Sequence, residues 1–144
     1  MAKYQLTKQI DAVNQHDADA FTAFYAPDAT VSDPQYPDAL RGRDAIRQDI
    51  QAFLTAFPDL KFAIETVLED DETVAFEGVA TGTNNGPILS PDGEIPATNR
   101  PMNMRFAGFL RVTNQGLISS ERRYYDLAGM FQQLGLTEQT RQTA

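Results

Sequence analysis

The chain has 144 residues, of which 42% are hydrophobic and 22% charged, a composition typical of one globular domain. Its 20 acidic and 12 basic residues give a net charge of −8, which disfavours binding to nucleic acid phosphates and to anionic membranes. It contains no Cys and one His, which excludes disulfides, thiol nucleophiles and His-rich metal sites. We therefore expect one domain over residues 1–144, in the cytoplasm, whose chemistry rests on carboxylates, phenols, amides or guanidinium groups.

The N-terminal part predicts three amphipathic helices and one short strand. Apolar side chains at helical spacing predict a first helix over residues 3–14. Asp17 can cap a second helix, which Pro27 would end because a proline ring removes a backbone donor. A strand over residues 29–33 follows. The apolar residues of the second helix are expected to be Phe21, Phe24 and Tyr25, and those of a third helix Ile46, Ile50, Phe53, Leu54 and Phe57.

After Pro58 the apolar period changes from helical to alternating, as expected for strands with one covered face. Residues 60–68 and 74–80 predict two strands, and 102–112 and 117–125 predict two more. Between these pairs lies a long loop over residues 84–100, which is expected to be either functional or mobile. A short helix follows the last strand, and the tail is expected to fray. In the strand over residues 60–68, the residues predicted to share one face are Leu60, Phe62, Ile64, Thr66 and Leu68.

This order of elements predicts an α+β fold in which about three N-terminal helices collect on one face of a strongly curved antiparallel sheet. Such a sheet and its helices enclose a cone, and the open end of the cone is a natural pocket. The opposite face of the sheet is predicted to be rather apolar, which would suit pairing with a second copy of the chain. Its predicted residues are Ala75, Val79, Ala107 and Phe109.

Asp126 stands at the junction between the last strand and the last helix. Counting back by twos places Tyr124 and Arg122 on its face of the strand. If this face lines the cone, a carboxylate, a phenol and a guanidinium group meet there and could perform general acid/base catalysis. Asp is also a favoured helix cap. Both interpretations of Asp126 stay open, and they are compatible.

Asp33 is a second candidate carboxylate, since it ends a short strand just before Pro34. Asp before Pro commonly makes a turn, but Asp33 could also face the cavity, with Tyr36 nearby. Two carboxylates in different surroundings would let one hold a proton while the other accepts one. Further candidates for contact with a substrate are Tyr25, Phe53 and Asn84.

Several segments resemble known families. Tyr25-Ala-Pro-Asp-Ala-Thr-Val-Ser-Asp-Pro34 and Gly42-Arg-Asp-Ala-Ile-Arg47 resemble the nuclear-transport-factor-2-like cone fold, in which the segment at Asp33 holds the general base of ketosteroid isomerases. Three other segments are more similar to the SnoaL-like ester cyclases. They are Ala56-Phe-Pro-Asp-Leu60, Thr81-Gly-Thr-Asn-Asn-Gly86 and Tyr125-Asp-Leu-Ala-Gly-Met-Phe-Gln-Gln-Leu-Gly135.

The resemblance implies polyketide cyclase chemistry, an intramolecular aldol closure by an acid/base aspartate in the final strand, with no metal or organic cofactor. That aspartate corresponds to Asp126 and the isomerase base to Asp33. Where many relatives have Gly-Thr-His, this chain has Gly-Thr-Asn, ending at Asn84. The oxyanion pair of the isomerases is absent, since its positions fall near Gln9 and Gly108, so steroid isomerisation of that kind is not expected.

Three functions remain open at this stage. The first is an enzyme that removes a proton next to a carbonyl in a small hydrophobic substrate, leading to cyclisation, isomerisation or hydrolysis. The second is a module that binds an apolar ligand in the same cone without chemistry. The third is a domain that forms a homodimer through its sheet, which is compatible with either of the others.

Overall fold

The computed structural model describes residues 2–90 and 92–136, so the predicted fraying of the last residues falls mostly outside the described chain. Four helices, one six-stranded sheet and one small hairpin make up the fold. The helices are α1 (Ala2–Asn14), α2 (Ala18–Thr22), α3 (Gly42–Ala56) and α4 (Leu127–Gln133). The strands are β1 (Tyr25–Ser32), β2 (Leu40–Arg41), β3 (Lys61–Asp70), β4 (Thr73–Thr83), β5 (Ile88–Ser90), β6 (Gly93–Ile95), β7 (Pro101–Val112) and β8 (Ile118–Tyr125).

The main sheet has the order β2-β1-β8-β7-β4-β3 and is open within the described residues, with β2 and β3 at its edges. All neighbouring strands are antiparallel except β1 and β8, which are parallel. This pair is the one departure from the predicted antiparallel sheet. A parallel pair needs a long crossover, and here α3 and strands β3 to β7 provide it.

The core lies between the helices and the inner face of the sheet, as the α+β prediction required. Helix α1 packs on β3, β4 and β7, and α3 packs on β1. Alternate residues of the long strands point inward and are buried, which follows from the two-residue period of a strand. The inward residues of β4 and β7 include Val74, Phe76, Ala80, Met102, Met104 and Leu110.

The second helix is shorter than predicted. Asp17 caps α2 as expected, because its Oδ1 accepts a hydrogen bond from the backbone N–H of Ala20 at 3.0 Å. The helix ends at Thr22, however, and both Tyr25 and Pro27 belong to β1. A proline is tolerated there because the pairing of β1 with β8 is irregular between Tyr25 and Thr30.

Two β-bulges reverse the inward and outward alternation that the sequence predicts. In β3, Ile64 pairs with Gly78 and Thr66 with Glu77, so one extra residue lies between them. Beyond this bulge Leu68 faces solvent, with 67% of its surface exposed. The prediction that Leu68 shares the face of Ile64 is therefore wrong, because an inserted residue moves every later side chain to the other face.

The second bulge lies in β8, where Val112 pairs with Ile118 and Arg111 with Ser120. Ile118 is buried and faces inward. Because Ser119 is the extra residue, the inward positions after the bulge carry odd numbers. The side chains of Glu121, Arg123 and Tyr125 consequently lie on the helix side of the sheet, and those of Arg122 and Tyr124 lie on the other.

The long loop between β4 and β7 has more structure than the sequence predicted. Its described residues include the hairpin of β5 and β6, in which Ile88 pairs with Ile95. Both isoleucines are buried, and β5 packs on α3. Because Ile88 and Leu89 lie at the cavity between α3 and the sheet, this hairpin forms part of the cavity wall. No described helix has the length and apolar character that crossing a membrane requires.

Gly78 allows the tight approach of β4 to β3 beside the first bulge. A Cβ atom at this position would lie 2.2 Å from the carbonyl oxygen of Ala63. We expect Gly78→Ala to lower the free energy of unfolding by roughly 1–3 kcal/mol, because the strands would have to separate. Urea denaturation measures this change.

The matched control is Thr81→Val at an exposed position of the same strand, which should change the stability by about 0.5 kcal/mol or less. Equal stabilities of the two variants would contradict the role given to Gly78.

Candidate active site

A cavity of about 130 Å³ lies between the helices and the inner face of the sheet. Its wall is mostly apolar, and several of its aromatic rings contact one another edge to face or at a tilt. A cavity of this kind suits a small hydrophobic molecule. The aromatic residues that share these ring contacts and line the cavity are Phe53, Phe57, Phe62, Phe76 and Phe106.

The guanidinium group of Arg123 stands at the centre of a polar cluster in this wall. Its Nε donates a hydrogen bond to Oε2 of Glu121 at 2.8 Å. Its Nη1 donates to Oδ2 of Asp33 at 3.0 Å and to Oδ2 of Asp49 at 2.7 Å. The side chain of Arg123 is 17% exposed, and those of the three carboxylates are 5–9% exposed. One cation therefore holds three nearly buried carboxylates.

Three separate elements bring these groups together. Asp33 directly follows β1, Asp49 lies on α3, and Glu121 and Arg123 occupy successive inward positions of β8. The parallel pairing of β1 with β8 places the end of β1 beside Arg122, so the residue after β1 reaches the neighbouring guanidinium group. The site thus depends on the tertiary fold as well as on the local sequence.

Each carboxylate also accepts a hydrogen bond from a phenol. Tyr125 donates to Oδ1 of Asp33 at 2.5 Å, and Tyr36 donates to Oδ1 of Asp49 at 2.8 Å. The hydroxyl of Tyr25, which is fully buried, donates to Oε1 of Glu121. Asp33 has a third donor in the backbone N–H of Gln35, 2.9 Å from its Oδ1.

The electrostatic surroundings keep these donors protonated. Burial, and then the charge of the bonded carboxylate, raise the pKa of Tyr25, Tyr36 and Tyr125 well above the ordinary value of a phenol. Burial by itself lowers the pKa of Arg123, but the charges of the surrounding carboxylates outweigh it, so this pKa lies well above its ordinary value. The cluster therefore consists of permanently protonated donors around three acceptors.

Of the predicted site residues, Asp33, Tyr36 and Phe53 lie in the cavity wall. Asp126 does not. Its side chain is exposed and caps α4 by accepting a hydrogen bond from the backbone N–H of Gly129 at 2.9 Å. In the structure Asp126 is therefore a helix cap that lies outside the cavity wall.

The expectation that Arg122 and Tyr124 line the cavity is wrong. Both residues are exposed on the outer face of the sheet, where the guanidinium carbon of Arg122 lies 5.0 Å from the ring centre of Phe109. Tyr124 is 53% exposed and borders a separate, more open pocket of about 250 Å³, which Asp33 and Arg123 also line. The two residues do share one face of β8 as predicted, but the pairing of β8 with β7 directs this face outward and the face of Glu121, Arg123 and Tyr125 inward.

Tyr25 and Asn84 are buried, but neither lines the cavity. Tyr25 contacts the site through the hydrogen bond that its hydroxyl donates to Glu121. Asn84 organises the long loop: its Nδ2 donates to the carbonyl oxygens of Ala56 and Gly86, and its Oδ1 accepts from the backbone and the hydroxyl of Thr98. Because these bonds occupy its amide, Asn84 stabilises the loop and does not make the expected contact with substrate or solvent.

Sequence reasoning missed six polar residues of the cavity wall. The spacing of Asp49 could have revealed it, since it lies three residues after Ile46 and four before Phe53, inside the apolar face of α3. The residues of β8 could be found only by knowing which face of this strand meets the cavity. The missed residues are Gln9, Gln35, Asp49, Glu121, Arg123 and Tyr125. In the part of the chain that the structure describes, no three His, Cys, Asp or Glu side chains are placed to hold a metal ion.

Arg123 should be essential for stability because its removal leaves three nearly buried carboxylates without their cation. We expect Arg123→Met to lower the free energy of unfolding at pH 7 by roughly 3–5 kcal/mol. Urea denaturation at pH 7 measures this loss.

The neighbouring Arg122→Met is the matched control, because it removes the same charge from an exposed position. It should cost about 1 kcal/mol or less. Similar losses for the two variants would show that the cluster does not depend on Arg123.

The geometry of this chain is shared by several solved structures. A protein of ketosteroid isomerase-like fold from Catenulispora acidiphila is 21% identical, with a TM-score of 0.77 over 94% of this chain and 95% of that one. IdmH from Streptomyces antibioticus, provisionally assigned as a polyketide cyclase, is 24% identical, with a TM-score of 0.75 over 94% and 99%. SalBIII, an epoxide hydrolase/cyclase-like enzyme of pyran ring formation in salinomycin, is 24% identical, with a TM-score of 0.72 over 88% and 91%.

These likenesses show that the fold is the nuclear-transport-factor-2-like cone, as the sequence segments predicted. A comparison with curated proteins gave no match. The sequence pattern of the SnoaL-like domain, however, matches residues 6–121, which is most of the chain. The protein therefore belongs to the SnoaL-like domain family.

Proposed function

We propose that this protein is an enzyme that performs acid/base chemistry next to a carbonyl group of a small hydrophobic molecule, without an organic cofactor. The observation that carries the proposal is the sharing of Nη1 of Arg123 by Asp33 and Asp49 in the wall of an otherwise apolar cavity. Proton transfer at carbon needs a carboxylate held in contact with substrate and away from bulk water. Both carboxylates line the cavity, and their side chains are only 5% and 9% exposed, which supports this role.

The hydrogen bonds of the cluster indicate which of the two aspartates has room to accept the proton of a substrate. Asp33 already accepts three hydrogen bonds and Asp49 two. Since a carboxylate has about four lone-pair sites, Asp49 has more capacity for an incoming proton.

In the proposed reaction the C–H bond next to the carbonyl breaks, and its proton moves to the Asp49–Asp33 pair. The electron pair of that bond passes to the carbonyl oxygen as an enolate. Return of the proton at a different carbon gives an isomer. Attack of the enolate carbon on a second carbonyl of the same molecule forms a C–C bond, and the proton then moves to the new alkoxide, which is an aldol-type cyclisation.

The relatives support the ring-forming version of this reaction. IdmH is provisionally assigned as a polyketide cyclase, and SalBIII is described as a cyclase-like enzyme of pyran ring formation. The proposal changes the catalytic residues that the sequence favoured. Asp33 keeps its predicted role as one of the two carboxylates, and Asp49 replaces Asp126, which lies outside the cavity wall. Binding of an apolar ligand without chemistry is the alternative that the following test separates.

A direct test is the exchange of deuterium for the acidic C–H protons of the bicyclic ketone 2-tetralone in D₂O, followed by ¹H NMR. We expect the protein to accelerate this exchange above the buffer rate. Asp49→Asn and Asp33→Asn should each reduce the acceleration roughly 100-fold or more, because each removes a member of the proton-accepting pair.

The control is Asp126→Asn, which preserves the cap of α4 because Asn caps as well as Asp does. Its exchange rate should match that of the unaltered protein. Loss of exchange in this variant alone would return the catalytic role to Asp126. Binding of 2-tetralone without any acceleration would favour the non-catalytic binding module.

We also propose that the outer face of the sheet pairs with a second copy of the chain. Phe109 is 39% exposed there and pairs with Ala75 across the strands, and Tyr124 packs on its ring edge to face. An apolar patch of this kind commonly marks an interface.

Light scattering after size-exclusion chromatography should give about twice the 16.0 kDa mass of the chain. Phe109→Asp should give the monomer mass, because a charge at the centre of the patch would be desolvated on pairing. Tyr4→Ser, at an exposed position on α1, should stay dimeric. A monomer mass for the unaltered chain would refute this interface.

A further inference from the structure

Gln9 is buried in the cavity wall without a hydrogen bond for its amide nitrogen. The residue lies on α1, lines the cavity and is 3% exposed. Its Nε2 is the only buried side-chain nitrogen or oxygen that lacks a partner among the described residues. Leu6 and Val13, at helical spacing on either side, are buried hydrophobic residues, so an apolar residue would suit the position of Gln9 on structural grounds.

An unpaired buried amide destabilises a folded protein, because folding removes its water without supplying a replacement. The other buried polar side chains of the described core do not have this defect. Thr22 donates to the carbonyl oxygen of Ala18, while Asn84 and Glu121 have bonded partners on both of their polar atoms. A donor at the cavity that has no protein partner can be satisfied by a ligand that brings an acceptor.

The remaining polar groups of the cavity indicate what kind of ligand could bring an acceptor to Gln9. The three carboxylates accept hydrogen bonds and repel a carbonyl oxygen. The donors identified around them, the phenols of Tyr36 and Tyr125 and the Nε and Nη1 of Arg123, already bond to these carboxylates. The other side-chain amide of the cavity wall, that of Gln35, belongs to a residue that is only partly buried. The cavity therefore has an acceptor pole at the carboxylates and, at Gln9, a buried donor without a protein partner.

We propose that Gln9 binds the carbonyl oxygen of the ligand through its Nε2–H group. This inference builds on the proposed function, because the same bond would stabilise the enolate oxygen that forms when the carboxylate pair removes the neighbouring proton. It defines the substrate class more narrowly as a neutral apolar molecule with one carbonyl oxygen directed away from its acidic C–H group. An analogue without that oxygen leaves Nε2 unpaired and binds more weakly.

The variant Gln9→Met tests the proposal because Met has a similar length and no polar hydrogen. We expect two opposite effects. The midpoint of thermal unfolding of the unliganded protein should rise by roughly 2–5 °C, since the unpaired amide is gone. The affinity for 2-tetralone should fall roughly fivefold, the value of one lost hydrogen bond, while the affinity for its hydrocarbon analogue tetralin should not fall.

Leu6→Met is the matched control, because it changes one apolar residue of the same helix and cavity wall for another. It should keep the ratio of the affinities for 2-tetralone and tetralin. A readout on the unaltered protein needs no stable variant: the side-chain amide ¹H–¹⁵N signals of Gln9, identified by their absence in Gln9→Met, should shift downfield with 2-tetralone and not with tetralin.

Equal losses of affinity for both probes, or amide signals that respond alike to both, would overturn the proposal. Its outcome is independent of catalysis. Gln9→Met could lose affinity for 2-tetralone and not for tetralin while the unaltered protein does not accelerate deuterium exchange. In that case the proposed enzyme function fails and the carbonyl site stands. If exchange is accelerated without discrimination by Gln9, the carbonyl site fails and the enzyme function stands.

Discussion

The guanidinium group of Arg123 is the interaction on which the candidate site depends. It compensates carboxylates from the end of β1, from α3 and from β8, so it connects the helix layer to two neighbouring strands. Burying these charges without a shared cation would cost far more than their contacts return. The phenols of Tyr25, Tyr36 and Tyr125 complete the arrangement by giving each carboxylate a second kind of donor.

The apolar cavity gives this cluster its chemical significance. A carboxylate on an open surface has water as its partner, whereas Asp33 and Asp49 face a space bounded mainly by apolar side chains. The unpaired amide of Gln9 lies in the same wall. Acceptors and a donor at one apolar cavity suit the proton removal next to a carbonyl that we propose.

The candidate site was predictable only in part, because no local pattern shows which face of β8 meets the cavity. Asp33 and Tyr36 were identified because they lie in a short segment with a recognisable pattern. Arg123 and Tyr125 were missed although they are adjacent in sequence to the chosen residues Arg122 and Tyr124. Alternation correctly placed Arg122 and Tyr124 on one face, but the pairing of β8 with β7 directs that face outward, and neither residue type nor alternation reveals this register.

The sequence alone determined the α+β order, the positions of α1 and α3, and the aspartates that cap α2 and α4. These features depend on residues within a few positions of one another, so local periodicity and hydrogen bonding are sufficient to specify them. Only the tertiary structure decided which face of β8 meets the cavity, that Asn84 fixes a loop, and that Asp49 joins Asp33 at one cation. Strand register and the pairing of distant charges depend on contacts between remote segments, which no local pattern records.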